Sequence, residues 1–195
     1  MAAKSNLKNM ALCLTLVCLF CSTVLAVVYA VTYDPIEAAA KKALVESIGR
    51  VLPEGGVISD ARTASLDGQD YEYYVSSADS AVVAYAVKST SVGFGGPLTI
   101  MVGILPDGTV YNTAVLSHSE TPGLGAKCTS DPVFLANWSY EQRQKSGKKL
   151  ENITVTKDGG DVDAITASTI TSRAYALAVA NAVAFVNSLG GQDNE

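Results

Sequence analysis

The chain has 195 residues, room for one domain of ordinary size and an appendage, and its charge is lopsided: all 19 acidic residues lie after position 33 with 12 of the 14 basic ones, so that this later part carries a net −7. An acidic domain without a basic stripe and interleaved aromatics is not built to hold nucleic acid or an anionic lipid surface. Of the four cysteines only Cys128 lies beyond residue 21, which excludes a disulfide within the soluble part.

In chain order, Lys4 and Lys8 precede an uncharged run of 23 residues from Met10 to Thr32. As a helix it reaches about 34 Å at ~1.5 Å per residue, enough to cross a hydrocarbon core of ~30 Å. It exceeds the ~7–15 residues of a signal-peptide core, and Phe20 is too bulky for a lipid-attachment box before Cys21. The expectation is a retained anchor: a cytoplasmic tail over 1–9, a membrane span over 10–32 in contact with lipid, and an extracytoplasmic domain over 33–195. The charge asymmetry across the span is small. Cys18 and Cys21 form a CxxC by spacing. In an apolar span small packing residues account for them, with a metal or iron–sulfur site shared with a neighbouring subunit as the alternative.

Asp34 to Leu52 has apolar residues at helical spacing and Pro35 at a position suited to a helix start, which predicts a helix rising from the membrane and ended by Pro53-Glu54-Gly55-Gly56. Strand patterns follow at 71–75, 81–87, 98–104 and 110–116, with Asp107-Gly108 as a hairpin signal between the last two. Residues 91–97 form a glycine-rich connection. The stretch 117–149 is looser, with a short helix over 132–138. Fifth and sixth strands are expected at 152–156 and 161–166, and a final helix from about Ile170 to Leu189 that stops at Gly190-Gly191, before a frayed tail. The sum is an α+β architecture: one N-terminal transmembrane helix, then an antiparallel-sheet domain with flanking helices.

Three segments bear on chemistry. Gly93 to Gly96 matches no dinucleotide or P-loop pattern and reads as a turn. Residues 117–125 gather the only histidine, His118, with Glu120, Thr121 and a Pro-Gly-Leu-Gly turn. No nucleophile elbow accompanies the serines there, and a zinc site would need more His or Cys. The glycines suit close approach of backbone to a flat ligand. Residues 163–173 are dense in hydroxyls and lie where the last helix begins. Free N–H groups and the helix dipole favour a phosphate there; a plain N-cap with a Ser/Thr-rich first turn is the simpler reading.

Together these residues resemble the G subunit of the Rnf electron-transport complex and, more broadly, the FMN-binding domain shared with the C subunit of sodium-translocating NADH:quinone reductase. Glu120-Thr121-Pro122-Gly123-Leu124-Gly125 looks like that family's ETPGLG loop, and Asp163 to Thr169 looks like its flavin-attachment motif D-x-x-[ST]-G-A-T. Ala167 stands where the family has glycine and Ser168 where it has alanine. The resemblance implies FMN joined through its phosphate to Thr169 by a separate flavin transferase. Thr166, Ser168, Thr171 and Asp163 would surround the phosphate, with the isoalloxazine against Glu120, Thr121, Gly123, Leu124 and the 93–98 loop. It further implies an electron-carrying subunit with other membrane subunits as partners and no turnover alone, in the inner membrane with the domain on the periplasmic side. The C-type subunit of the quinone reductase, and an anchored binding module without covalent flavin, are the alternatives.

Overall fold

A computed structural model describes residues 7–79 and 81–192. The residues divide into two compact units, one up to Ala43 and one from Leu44 onward. Most of the expected N-terminal tail, residues 1–6 with Lys4, and the expected frayed end, 193–195, lie outside the described residues.

The first unit is helical. Helix α1 runs without interruption over Leu7–Val51, with Pro35 inside it. Two predicted helices are thus one, and the expectation of a start at Pro35 is corrected. A proline removes one backbone donor and can be accommodated within a long helix whose neighbouring turns continue. Within the uncharged run, the hydroxyls of Thr15, Thr23 and Thr32 donate to the carbonyls of Ala11, Leu19 and Val28, at 2.9, 2.8 and 2.8 Å. Every polar side-chain hydrogen on these threonines is thereby satisfied within the helix, as an apolar solvent requires. Tyr29 and Tyr33 pair one turn apart near the end of the run, ring centroids 5.7 Å apart, where an amphipathic ring suits the membrane boundary.

The second unit is built on a six-stranded antiparallel sheet. Its strands are β1 (Val57–Ile58), β2 (Arg62–Leu66), β3 (Gln69–Ala78), β4 (Ala81–Val92), β5 (Pro97–Ile104) and β6 (Val110–His118). The order is β1-β3-β4-β5-β6, and β2 also pairs with β3. The four predicted strands correspond to β3 to β6, and the Asp107-Gly108 turn joins β5 to β6 as expected. There the Asp107 carboxylate accepts from Thr109 N at 2.9 Å and Gly108 adopts φ +84°.

Both faces of the sheet are covered, which is why β5 is apolar on both sides of its alternation. Leu98, Ile100, Val102 and Ile104 face the last helix, α4 (Thr169–Gln192), and join Tyr175, Val179, Phe185 and Val186 in the main core. On the other face Met101, Ala84, Ala86 and Tyr74 pack with Ile48, Val51 and Leu52 from the end of α1. Contact there is close: a Cβ on Gly103 would fall 1.7 Å from the carbonyl oxygen of Val51. Among the described residues α1 and Thr169–Leu189 are both long and apolar enough to cross a membrane, but over half of the latter's apolar window is buried in the unit, so its apolarity serves the core.

Four expectations are corrected. β1 and β2 were not predicted, because β1 is only two residues long and both strands are mostly exposed, with no alternation of buried and polar positions. The looser 117–149 stretch contains a 3-10 turn at Gly125–Thr129 and helix α3 (Tyr140–Ser146), beside the expected short helix, α2 (Pro132–Ala136). The strands predicted at 152–156 and 161–166 are absent apart from one bridge between Val155 and Val162. The carboxylate of Asp161 takes the N–H groups of Glu151 and Asn152, at 2.9 and 2.7 Å, so a loop side chain accepts what a strand partner would have accepted. Finally, α4 passes through Gly190 and Gly191 rather than stopping there.

Candidate functional site

The entry to α4 is tied by one side chain. Ser172 Oγ accepts from Ile165 N at 3.0 Å and donates to Ser168 O at 3.0 Å, while Ser168 N bonds back to Ile165 O at 3.0 Å. This closes a tight turn whose apex is Ala167, with φ +61°. A left-handed conformation there is natural for glycine and costs roughly 1–2 kcal/mol for an L-residue with a Cβ. Ala167 therefore reproduces the backbone that glycine would adopt, with strain.

Above this turn the 118–125 loop is held by Glu120, which is 5% exposed. Its Oε2 accepts from the Thr171 hydroxyl at 2.8 Å and its Oε1 from Gly95 N at 3.4 Å. Its own N–H donates to His118 Nδ1 at 3.2 Å, which gives the single histidine a structural role. The glycines around the carboxylate provide its space: a Cβ on Gly93 would lie 2.0 Å from Oε1, and one on Gly125 would lie 2.4 Å from Oε2. Nearby Cys128 is fully buried, and its thiol is pushed up to about 11 by burial first and then by the Glu120 charge. It is an inert packing group at neutral pH.

These segments enclose a cavity of about 360 Å³ lined by Glu120, Thr121, Gly125 and residues 167–171, with Phe94, Leu124 and Ile170 as its apolar wall. At its polar end Thr169 opens α4, with its N–H groups and dipole directed outward. The Thr169 hydroxyl accepts from Lys157 Nζ at 3.2 Å. Ser168 is 7% exposed, and its Oγ is buried without a hydrogen-bond partner among the described residues. The residue lines the cavity, and a turn of its side chain toward the cavity would give this hydroxyl the partner it lacks. The cavity thus has one end suited to an anion and another suited to a flat apolar group.

The residues singled out from the sequence divide into two groups. Glu120, Thr121, Leu124, Ser168, Thr169 and Thr171 all line this cavity. Gly123, Thr166 and Asp163 do not. Gly123 is an exposed turn residue with φ +77°, and Thr166 is exposed. Asp163 pairs with Lys148 at 2.7 Å and exchanges backbone hydrogen bonds with the amide of Asn137. It secures the approach to the turn from below. The Thr171 hydroxyl hydrogen is engaged by Glu120. Cys18 and Cys21 are exposed on α1, and the described residues hold no cluster of three or more His, Cys, Asp or Glu placed for a metal ion. Phe94 lies in the 93–98 loop that the resemblance sets against the isoalloxazine, though the residue itself was not singled out, and Ile170 and Lys157 were missed. An aromatic between glycines is a weak signal for Phe94, as is an isoleucine in a hydrophilic first turn for Ile170. For Lys157, twelve residues before the threonine it touches, there is none.

Known proteins share these segments. Residues 93–184, which contain the whole cavity lining, match the FMN-binding domain family. The chain is 31% identical over 181 residues to the G subunit of the proton-translocating ferredoxin:NAD(+) oxidoreductase complex of Clostridium ljungdahlii, covering 91% of this chain and 90% of that protein. It is 32% identical over 173 residues to the G subunit of the ion-translocating oxidoreductase complex of Vibrio cholerae, covering 83% and 81%. Among solved structures, Shewanella oneidensis NqrC matches with a TM-score of 0.42 at 25% identity over 61% of each chain.

The strained turn makes a prediction. Ala167→Gly relieves the left-handed alanine and is expected to stabilise the protein by about 1 kcal/mol, net of glycine's greater freedom when unfolded. A rise in melting temperature of roughly 2–4 °C for the detergent-solubilised chain is the expected reading; a fall would contradict the assigned turn.

Proposed function

Because the chain belongs to the family of G subunits of ion-translocating oxidoreductase complexes, we propose that it is a membrane-anchored electron carrier. In this reading FMN occupies the cavity at the start of α4 and is joined through its phosphate to Thr169. The observation that carries the proposal is the polar end of that cavity: the partly exposed Thr169 hydroxyl, the helix N-terminus, and the unpartnered buried Ser168 Oγ.

These residues fit a flavin phosphate. The N–H groups that open α4 offer donors to its oxygens, and Ser168 Oγ supplies a hydroxyl that lacks another partner. Phe94, Leu124 and Ile170 offer apolar contact to a ring system and limit water at it. Glu120, held by Thr171 and Gly95, keeps the two walls of the cavity in register. The bound flavin would supply the electron-transfer chemistry. A threonine hydroxyl is a weak nucleophile at neutral pH, so attachment calls for a separate flavin transferase. Linkage to the chain keeps the cofactor from being lost in an exposed compartment.

The uncharged part of α1 would anchor the carrier in a single pass. The domain would face the extracytoplasmic side, and the partners would be other membrane subunits that bring electrons from ferredoxin or NADH and move ions. Lys4 and Lys8 before the span point to this orientation, against the counterweight of Lys41 and Lys42 beyond it.

Two experiments test the reading. Co-expressed with a flavin transferase, denatured and run on a gel, the chain should carry flavin fluorescence that disappears in Thr169→Ala. An unlabelled wild-type chain, or a band that survives the substitution, contradicts covalent attachment at this residue. For topology, external protease should digest residues 34–195 in spheroplasts; a domain protected until lysis would place it on the cytoplasmic side.

A further inference from the structure

Lys157 sits in a 3-10 turn, Thr156–Asp158, that belongs to neither sequence motif yet reaches the reacting oxygen. The turn is fixed from three directions. Val155, fully buried, anchors its start and bridges to Val162. Thr156 N bonds to Val162 O at 2.9 Å and Asp158 N to Val155 O at 2.8 Å. Asp158 is then gripped by Arg173 of α4 through two bonds, Nε to Oδ2 at 2.6 Å and Nη2 to Oδ1 at 2.7 Å. The fork of a guanidinium on a carboxylate fixes direction as well as distance. This clamp spans the first turn of α4, engages the carboxylate next to Lys157 in sequence, and leaves the Lys157 amine directed at Thr169 Oγ1, 3.2 Å away.

We propose that Lys157 is a positioning residue for esterification of Thr169, oriented by the Arg173–Asp158 clamp, and the counter-charge of the phosphodiester that results. The proposal rests on the reading that Thr169 is the attachment site. The donor is flavin adenine dinucleotide, presented by the transferase. Thr169 Oγ1 forms a bond to the phosphorus that bears the riboflavin. The bond between that same phosphorus and the bridging oxygen of the pyrophosphate breaks, and AMP leaves with the bridging oxygen and the electron pair. The hydroxyl proton passes to a base of the transferase or to water, and nothing is oxidised or reduced. Lys157, an ammonium with no acceptor capacity, does not take that proton. Its hydrogen bond occupies one lone pair of Oγ1, directing the other toward the incoming phosphorus. Its charge favours the oxygen as the proton leaves and then faces the single negative charge of the ester. Ser168 Oγ, buried and without a partner on the adjacent residue, offers the ester a neutral donor beside this cation.

The test is the initial rate of FMN addition, read by intact mass, for the full chain in detergent with purified transferase, FAD and magnesium. Lys157→Glu should slow the addition about tenfold or more, and Lys157→Gln severalfold, while Lys157→Arg stays within about twofold of wild type. Melting temperatures of the Gln and Arg variants should match wild type, since the contact is exposed. Glu or Gln variants modified at the wild-type rate, or Gln and Arg slowed alike, would overturn the role of the charge while leaving Thr169 as the site. Should the Glu variant fail to fold, the Gln and Arg pair decides. A wild-type chain that gains no mass, or a Thr169→Ala chain that does, would instead overturn the attachment site itself.

Discussion

The candidate site depends on one buried carboxylate. Glu120 is inserted between the β4–β5 turn and the first turn of α4, and its two oxygens take one donor from each, Gly95 N and the Thr171 hydroxyl. Leaving such a carboxylate buried without its donors would be penalised by several kcal/mol. The three segments are therefore coupled: if one moves, an oxygen of Glu120 loses its partner. The glycines at 93 and 125 are the sequence's accommodation of this group, since a Cβ at either would collide with it. The ETPGLG loop and the glycine-rich turn, which look like separate motifs in the sequence, are two sides of one contact.

A second constraint, at the start of α4, sets the polar end. Ser172 ties the turn that precedes the helix, and Ala167 accepts a left-handed backbone to complete it. The result places Thr169 as the first helical residue, with its hydroxyl partly exposed and its helix buried behind it in the main core. Tyr175 of this helix stacks on Trp138 at 5.1 Å and meets Phe134 edge-on at 5.0 Å, so the helix holds the Thr169 hydroxyl at a fixed place. A mobile loop would not do this.

How far the sequence announced the structure followed from where burial was one-sided or complete. β3 to β6 were readable because their apolar residues alternate or run continuously against two covered faces. β1 and β2 were not, since an exposed edge leaves no hydrophobic pattern. The expected strands near 155 and 163 failed for a different reason. The valines there are buried, but one by one, as anchors of a loop stapled by Asp161. Short apolar runs do not reveal whether a neighbouring strand or a nearby side chain takes the backbone donors. At the site, the residues in contiguous motifs were found, whereas Thr171–Glu120, 51 residues apart, and Lys157–Thr169 depend on tertiary approach. Thr166 and Asp163 show the reverse: both lie in the motif, yet one faces solvent and the other supports the turn from outside the cavity.

Several hydroxyls crowd the start of α4, and the proposed function puts a phosphate on only one of them. Peptide mapping by tandem mass spectrometry of the chain isolated from its native membrane tests this most directly. Fragment ions should locate an FMN-sized addition on Thr169, with Thr166, Ser168, Thr171 and Ser172 unmodified. The same addition on any of those four, or an unmodified peptide across residues 158–173, would contradict the account.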